Sequence, residues 1–141
     1  MQLTKHTDFA FRTLIYLASM PTESTTIQDV ADRFDMPKSH LMKVVSTLVA
    51  NGYAHSIRGK QGGISLAKTP EEITLREVLE LMEKTLEPLD CVGQDCLILK
   101  TCRLKRTLKS AQDKYLEHLD GYSIADMIDT PTTNMIHLLI P

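Results

Sequence analysis

Three cysteines, Cys91, Cys96 and Cys102, lie within twelve residues of one another, and thiols gathered so closely invite metal or redox chemistry. Their spacing is Cys-x4-Cys-x5-Cys. Structural zinc asks for four tetrahedral ligands, usually in tight C-x2-C or H-x3-H knuckles, and neither knuckle occurs here. His118 lies about four helical turns beyond Cys102, too far to complete a site. Iron–sulfur clusters accept cysteines at more varied spacing and tolerate a fourth ligand that is not cysteine. A metal-free thiol switch is open to the same residues. The residues alone therefore rank a cluster (2Fe-2S or 4Fe-4S) first, a thiol switch second and zinc third. Three cysteines cannot all pair within one chain. Met1 is not followed by a basic stretch and an apolar signal core, and no apolar run could span a membrane. The expectation is a cytoplasmic, reducing setting in which the thiols stay available.

The elements that would carry these thiols can be read from punctuation and periodicity. Residues 85–100 hold Pro88 and Gly93 and read as a loop bearing Cys91 and Cys96. Cys102 stands at the start of a long helix predicted over 101–119, where the helix dipole favours a negatively charged sulfur. Gly121 stops that helix. Leu104, Leu108, Ala111, Tyr115 and Leu119 form a stripe along it. The stripe is either intramolecular core or a homodimer seam, and the seam is the expectation. Ahead of the loop, 74–83 reads as a helix with Val78, Leu79 and Met82 on its apolar face. Ser123 is placed to cap a last turn through Met127. The tail, with Pro131, has no clear period.

A second constellation is basic. The net charge is −2, yet residues 1–68 carry eight Lys/Arg against five Asp/Glu, and residues 69–141 carry eight against thirteen. From Met36 to Lys68 there are five basic side chains and no acid. Such a segment either meets a polyanion or forms a solvated face. Its predicted shape favours the first. Residues 3–19 read as a helix, with Pro21 beyond its end. Thr26 caps a short helix over 27–34. Asp35-Met36 turns, and Pro37 suits the first position of a helix over 37–50 that Asn51-Gly52 ends. Two short helices joined by a tight turn are the helix-turn-helix unit. Lys38, Ser39, His40 and Lys43 occupy the first turns of its second helix, off the apolar stripe, where a recognition helix meets the major groove.

Residues 53–57 and 64–66 then read as two strands joined by Arg58-Gly59-Lys60-Gln61-Gly62-Gly63, a basic, glycine-rich tip. After a helix-turn-helix such a hairpin is a wing. Lys38, Lys43, Lys60 and Lys68 are expected at phosphates, Ser39 and His40 at base edges, Arg58 in the minor groove, and Gln61 and Gly62 where the backbone approaches DNA. A phosphate-binding loop would need a Lys-Ser/Thr and a following helix, and both are missing. The fold class expected is mainly α with a small β-hairpin. It comprises a winged helix-turn-helix over 1–70, then a cysteine loop and a long C-terminal dimerisation helix over 71–141. No nucleophile–base pair stands out, so no enzyme is expected. A cluster-bearing electron-transfer protein is the rival class, and the acid-free basic span speaks against it.

Several stretches, in order over nearly the whole chain, resemble one family. These are Met1-Gln2-Leu3-Thr4 with Thr7-Asp8-Phe9, Leu14-Ile15-Tyr16-Leu17-Ala18, the wing tip from Arg58 to Gly63, and the three cysteines followed by Arg103-Leu104-Lys105. They are similar to the iron–sulfur winged-helix regulators related to IscR, and within them to the nitric-oxide-sensing repressors. The resemblance implies a homodimer that binds a palindromic double-stranded operator until nitric oxide attacks its cluster. It implies Cys91, Cys96 and Cys102 as cluster ligands, with Asp8 of the other subunit as a fourth. Asp8 also suits a plain helix-start role at the dipole. The IscR type has a histidine three residues after its last cysteine, where this chain has Lys105. That departure argues for a nitric-oxide sensor over the cluster-biogenesis regulator; a related iron–sulfur or thiol-based redox regulator of cluster biogenesis or oxidative-stress genes is the alternative.

Overall fold

The computed structural model describes residues 2–20, 24–60 and 62–138. Six helices and one two-stranded sheet follow in the order α1 (Lys5–Ser19), α2 (Ile27–Arg33), α3 (Lys38–Ala50), β1 (Ala54–Ile57), β2 (Gly63–Leu66), α4 (Leu75–Met82), α5 (Arg103–Asp120) and α6 (Thr130–His137). Short 3-10 turns at Pro70–Glu72 and Ala125–Met127 complete the trace. Pro21 and Gln61, both singled out in the sequence, lie outside the described residues.

The helix starts are set by side-chain caps. Thr4 Oγ1 accepts from Thr7 N–H at α1. Thr26 with Asp29 and Thr74 with Glu77 close reciprocal capping boxes at α2 and α4, each satisfying two backbone donors that a helix start leaves orphaned. At α3 the helix begins one residue later than predicted. Pro37 is its N-cap, without a side-chain cap bond, and its carbonyl accepts from His40 and Leu41. The turn before it holds Asp35 at φ 51° and buries Met36, whose N–H donates to Ala31 O (2.8 Å).

One contiguous core runs through the described residues. Leu14 and Leu17 of α1, Val30 of α2, Leu41, Val44 and Leu48 of α3 and Ile64 of β2 meet Ile73, Val78, Ile124 and Ile136 from the second half. An isolated bridge ties the two stretches that flank α4 and α5: Leu75 N–H donates to Tyr122 O and Ile124 N–H to Ile73 O, both at 2.9 Å. The antiparallel hairpin pairs Ala54 with Leu66 and Ile57 with Gly63. A second bridge adds Thr25 to its outer edge, with Thr25 N–H donating to Ile64 O and Ile64 N–H to Thr25 O (2.7 Å). That bridge anchors the wing to the residue just before the cap of α2.

The tail and the buried face of α5 are two features that the sequence left open. The tail forms α6, capped by Asp129 with Pro131 in its first turn. It folds back on α1, burying Ile136, and His137 Nε2 donates to Ser19 O (3.3 Å). The predicted stripe of α5 does not form its buried face: Leu116 and Gln112 do, packed toward α4. Leu104 and Ala111 are exposed, and Leu108, Tyr115 and Leu119 are half-buried.

Candidate nucleic-acid interface and cysteine site

The basic residues of α3 and the wing share an open surface. Lys38, Ser39, His40 and Lys43 are all exposed along α3, while Leu41, Val44, Val45 and Leu48 hold the helix to the core. The wing tip exposes Arg58 and Lys60. It is shaped by Gly59 at φ 114° and closed by Gly62 N–H donating to Gly59 O (2.9 Å). A Cβ on Gly62 would fall 2.2 Å from Ile57 O, so a side chain there is sterically excluded. Lys68, expected at phosphate, is half-buried with its ammonium 4.3 Å from the centroid of the Tyr53 ring.

Between the start of α3 and the wing lies a groove of about 260 Å³ whose walls include Gln28, Lys38, Met42, Ile57, Gly59 and Gly62. Gln28, Met42 and Ile57 were missed by the sequence reading. Met42 lies next to Lys43, just off the helix stripe, and could have been found as an apolar residue outside the buried set.

The cysteine site is a loop with a helical end. Cys91 and Cys102 are half-buried, Cys96 is exposed, and all three are free thiols. Cys102 is the N-cap of α5, its Sγ accepting from Lys105 N–H at 3.4 Å. Among the described residues, every hydrogen bond made within 90–101 is local, such as Gly93 N–H to Asp90 Oδ1 and Leu99 N–H to Cys96 O. No three His, Cys, Asp or Glu side chains among the described residues are gathered closely enough to hold a metal. The donor set itself fits an iron–sulfur cluster. It offers three soft sulfurs on one locally tied segment, one of which already accepts a backbone N–H as cluster thiolates do.

Asp8, in the first turn of α1, is half-buried and paired with Arg12 Nε at 2.9 Å. Close to it the chain makes a long-range latch. Glu83, the residue that ends α4, accepts at one oxygen from Thr4 N–H (2.8 Å) and from the buried Thr7 hydroxyl (2.6 Å). Burial opposes the Glu83 charge, but the bonds from Thr7 and Thr4 outweigh it and hold the carboxyl below its ordinary value. The latch joins the beginning of α1 to the root of the cysteine loop. On the other side of that root, Gln112 Nε2 donates to Leu86 O while its Oε1 is buried without a partner among the described residues. It borders an open apolar cavity of about 550 Å³, whose walls also include Leu108, Ala111 and Tyr115.

Comparison with known proteins adds three findings. The sequence model of the Rrf2 family, described as an iron-dependent transcriptional regulator, matches residues 3–130. The chain is 38% identical over 133 residues to the HTH-type transcriptional regulator NsrR of Geobacillus kaustophilus, covering 92% of this chain and 90% of that one. Its fold is similar to CymR, the global cysteine regulator of B. subtilis (TM-score 0.73, 25% identity, 90% of this chain and 95% of that chain). It is likewise similar to IscR of T. potens (TM-score 0.73, 22% identity, 90% and 85%).

Proposed function

This chain belongs to the Rrf2 family of transcriptional regulators, and from that premise we propose a nitric-oxide-responsive repressor whose hold on its operator is set by an iron–sulfur cluster. DNA binding through a winged helix is the family's mode of action. The cluster, its signal and the dimer are the parts proposed here. The observation that carries them is the set of three free thiols on one loop, with Cys102 capping the long helix. The similarity to a regulator named NsrR supports nitric oxide as the signal.

Residues 1–70 are the reading head and 71–141 the sensing and dimerising part. Cys91, Cys96 and Cys102 hold the cluster, and Asp8 of a second copy supplies an oxygen ligand once it leaves Arg12. When bound, the cluster supplies iron centres open to attack by a small diffusible radical. The remaining work is done by this chain. Cys96 leaves the site accessible from solvent. Cys102 transmits the state of the loop to the first turn of α5, because its sulfur is both the helix cap and a ligand. Glu83 transmits it to α1 through Thr4 and Thr7. The Leu104–Leu119 stripe of α5, together with the cavity beside Gln112, forms the dimer seam that spaces two copies of α3. Symmetric pairing suits palindromic half-sites about 34–36 Å apart.

Anaerobic purification with iron and sulfide analysis, then nitric oxide titration of the DNA-bound protein, tests this directly. A brown protein that leaves its operator as nitric oxide is added is the expected result. A colourless protein indifferent to nitric oxide overturns the sensor, and Cys96→Ala protein that lacks the cluster yet binds DNA like wild type at equal salt overturns the switch.

A further inference from the structure

Among the described residues up to position 88, only two large apolar side chains are left exposed, Met42 at 50% and Ile57 at 67%. They do not point to separate places. Both line the groove between α3 and the wing, along with Lys38, Gln28 and the backbone of Gly59 and Gly62. Among the described residues, no acidic side chain lines that groove, and no residue of α4 or α5 does. The groove is therefore apart from the α5 stripe proposed as the dimer seam, and its charge suits a polyanion. An apolar pair in a groove built for DNA needs an apolar feature to meet. On the base edges of the major groove the one such feature is the C5 methyl of thymine.

We infer that Met42 is a specificity-determining residue that reads a thymine methyl, with Ile57 closing the wing side of the same contact. Lys38, four residues before Met42 on the same helix, holds the neighbouring phosphate and fixes the register at which the thioether meets the base. Methionine suits the task, being unbranched and polarisable, so it can follow the methyl over small changes of docking. The inference rests on the DNA-binding function proposed above.

The experiment uses the full chain, purified anaerobically, and a duplex that the protein itself selects from a random-sequence pool. Each thymine of that duplex is replaced in turn by deoxyuridine, which removes only the methyl, and binding is measured at fixed salt. Loss of one buried methyl weakens binding roughly fourfold, and this is expected at one thymine of each half-site. Met42→Ala protein should bind the thymine and deoxyuridine duplexes equally, with an unchanged salt slope and oligomeric state. If no thymine responds, or if the response persists in Met42→Ala, the inference is wrong while DNA binding stands. A changed oligomeric state in Met42→Ala also overturns it, by assigning Met42 to a contact between copies. Failure to select any duplex overturns both the inference and the function beneath it.

Discussion

Gly62 and Glu83 show how single residues position this protein's surfaces. A methyl group at Gly62 would overlap the Ile57 carbonyl, so Gly62→Ala must move the wing tip that carries Arg58 and Lys60. Weaker operator binding with little change in Tm is expected, measured by fluorescence anisotropy and thermal melting. Lys43→Ala and Lys60→Ala should each lower the slope of log K against log salt by about 1, because each removes one phosphate-directed cation. An unchanged slope would take that residue off the DNA. Glu83 acts through its charge. Its folded pKa is depressed, so its contribution to stability is full above the ordinary carboxylate value and is lost as pH falls through the folded one. Glu83→Gln should therefore lower Tm by a few degrees at neutral pH, on the order of 1 kcal/mol, and the gap to wild type should close in acid. A gap that persists at low pH would mean the latch is not electrostatic.

The elements were legible wherever local chemistry decides them. Thr26, Asn51-Gly52 and Gly62 signal their own roles through caps and turns, and Val78, Leu79 and Met82 mark α4 by their stripe, so α2, α3, α4 and the wing could be placed within a residue or two. Thr26→Ala should cost about 1 kcal/mol, read as a lower midpoint in urea with an unchanged m-value. Elements decided at long range were not legible. α6 carries a start signal in Asp129 and Pro131, but only Ile136 is buried along it, so no period betrays it. The Thr25 bridge to Ile64 joins residues with no local pattern in common. On α5 the apolar stripe was visible, but the face against α4 was not, because half of that buried face is the polar Gln112. For the candidate sites, the identity of Lys38, Lys43, Arg58 and the cysteines could be read from type and spacing. The pairing of Lys68 with Tyr53 and of Glu83 with Thr4 and Thr7 depends on tertiary packing and could not.

For the molecule as a whole, the open stripe on α5 is the main unfinished surface. Leu104 is 59% exposed, and Leu97, in the loop before it, is fully exposed. An apolar surface of this kind is commonly an interaction site. Leu104→Glu should shift the protein toward monomer in sedimentation equilibrium while leaving its helical circular dichroism intact, and operator affinity should fall with the dimer. A Leu104→Glu protein that remains dimeric would place the seam elsewhere. The docking of α6 on α1 has a different kind of consequence, one of timing. The hydrogen bond from His137 to Ser19 spans 118 positions, and a ribosome releases the chain from its N-terminus. Residues 5–66 emerge first, but the core they enter also takes Ile73, Val78, Ile124 and Ile136 from the later chain. The last helix is therefore what seals that core, and the basic surface of α3 and the wing reaches its final packing only when the chain is complete.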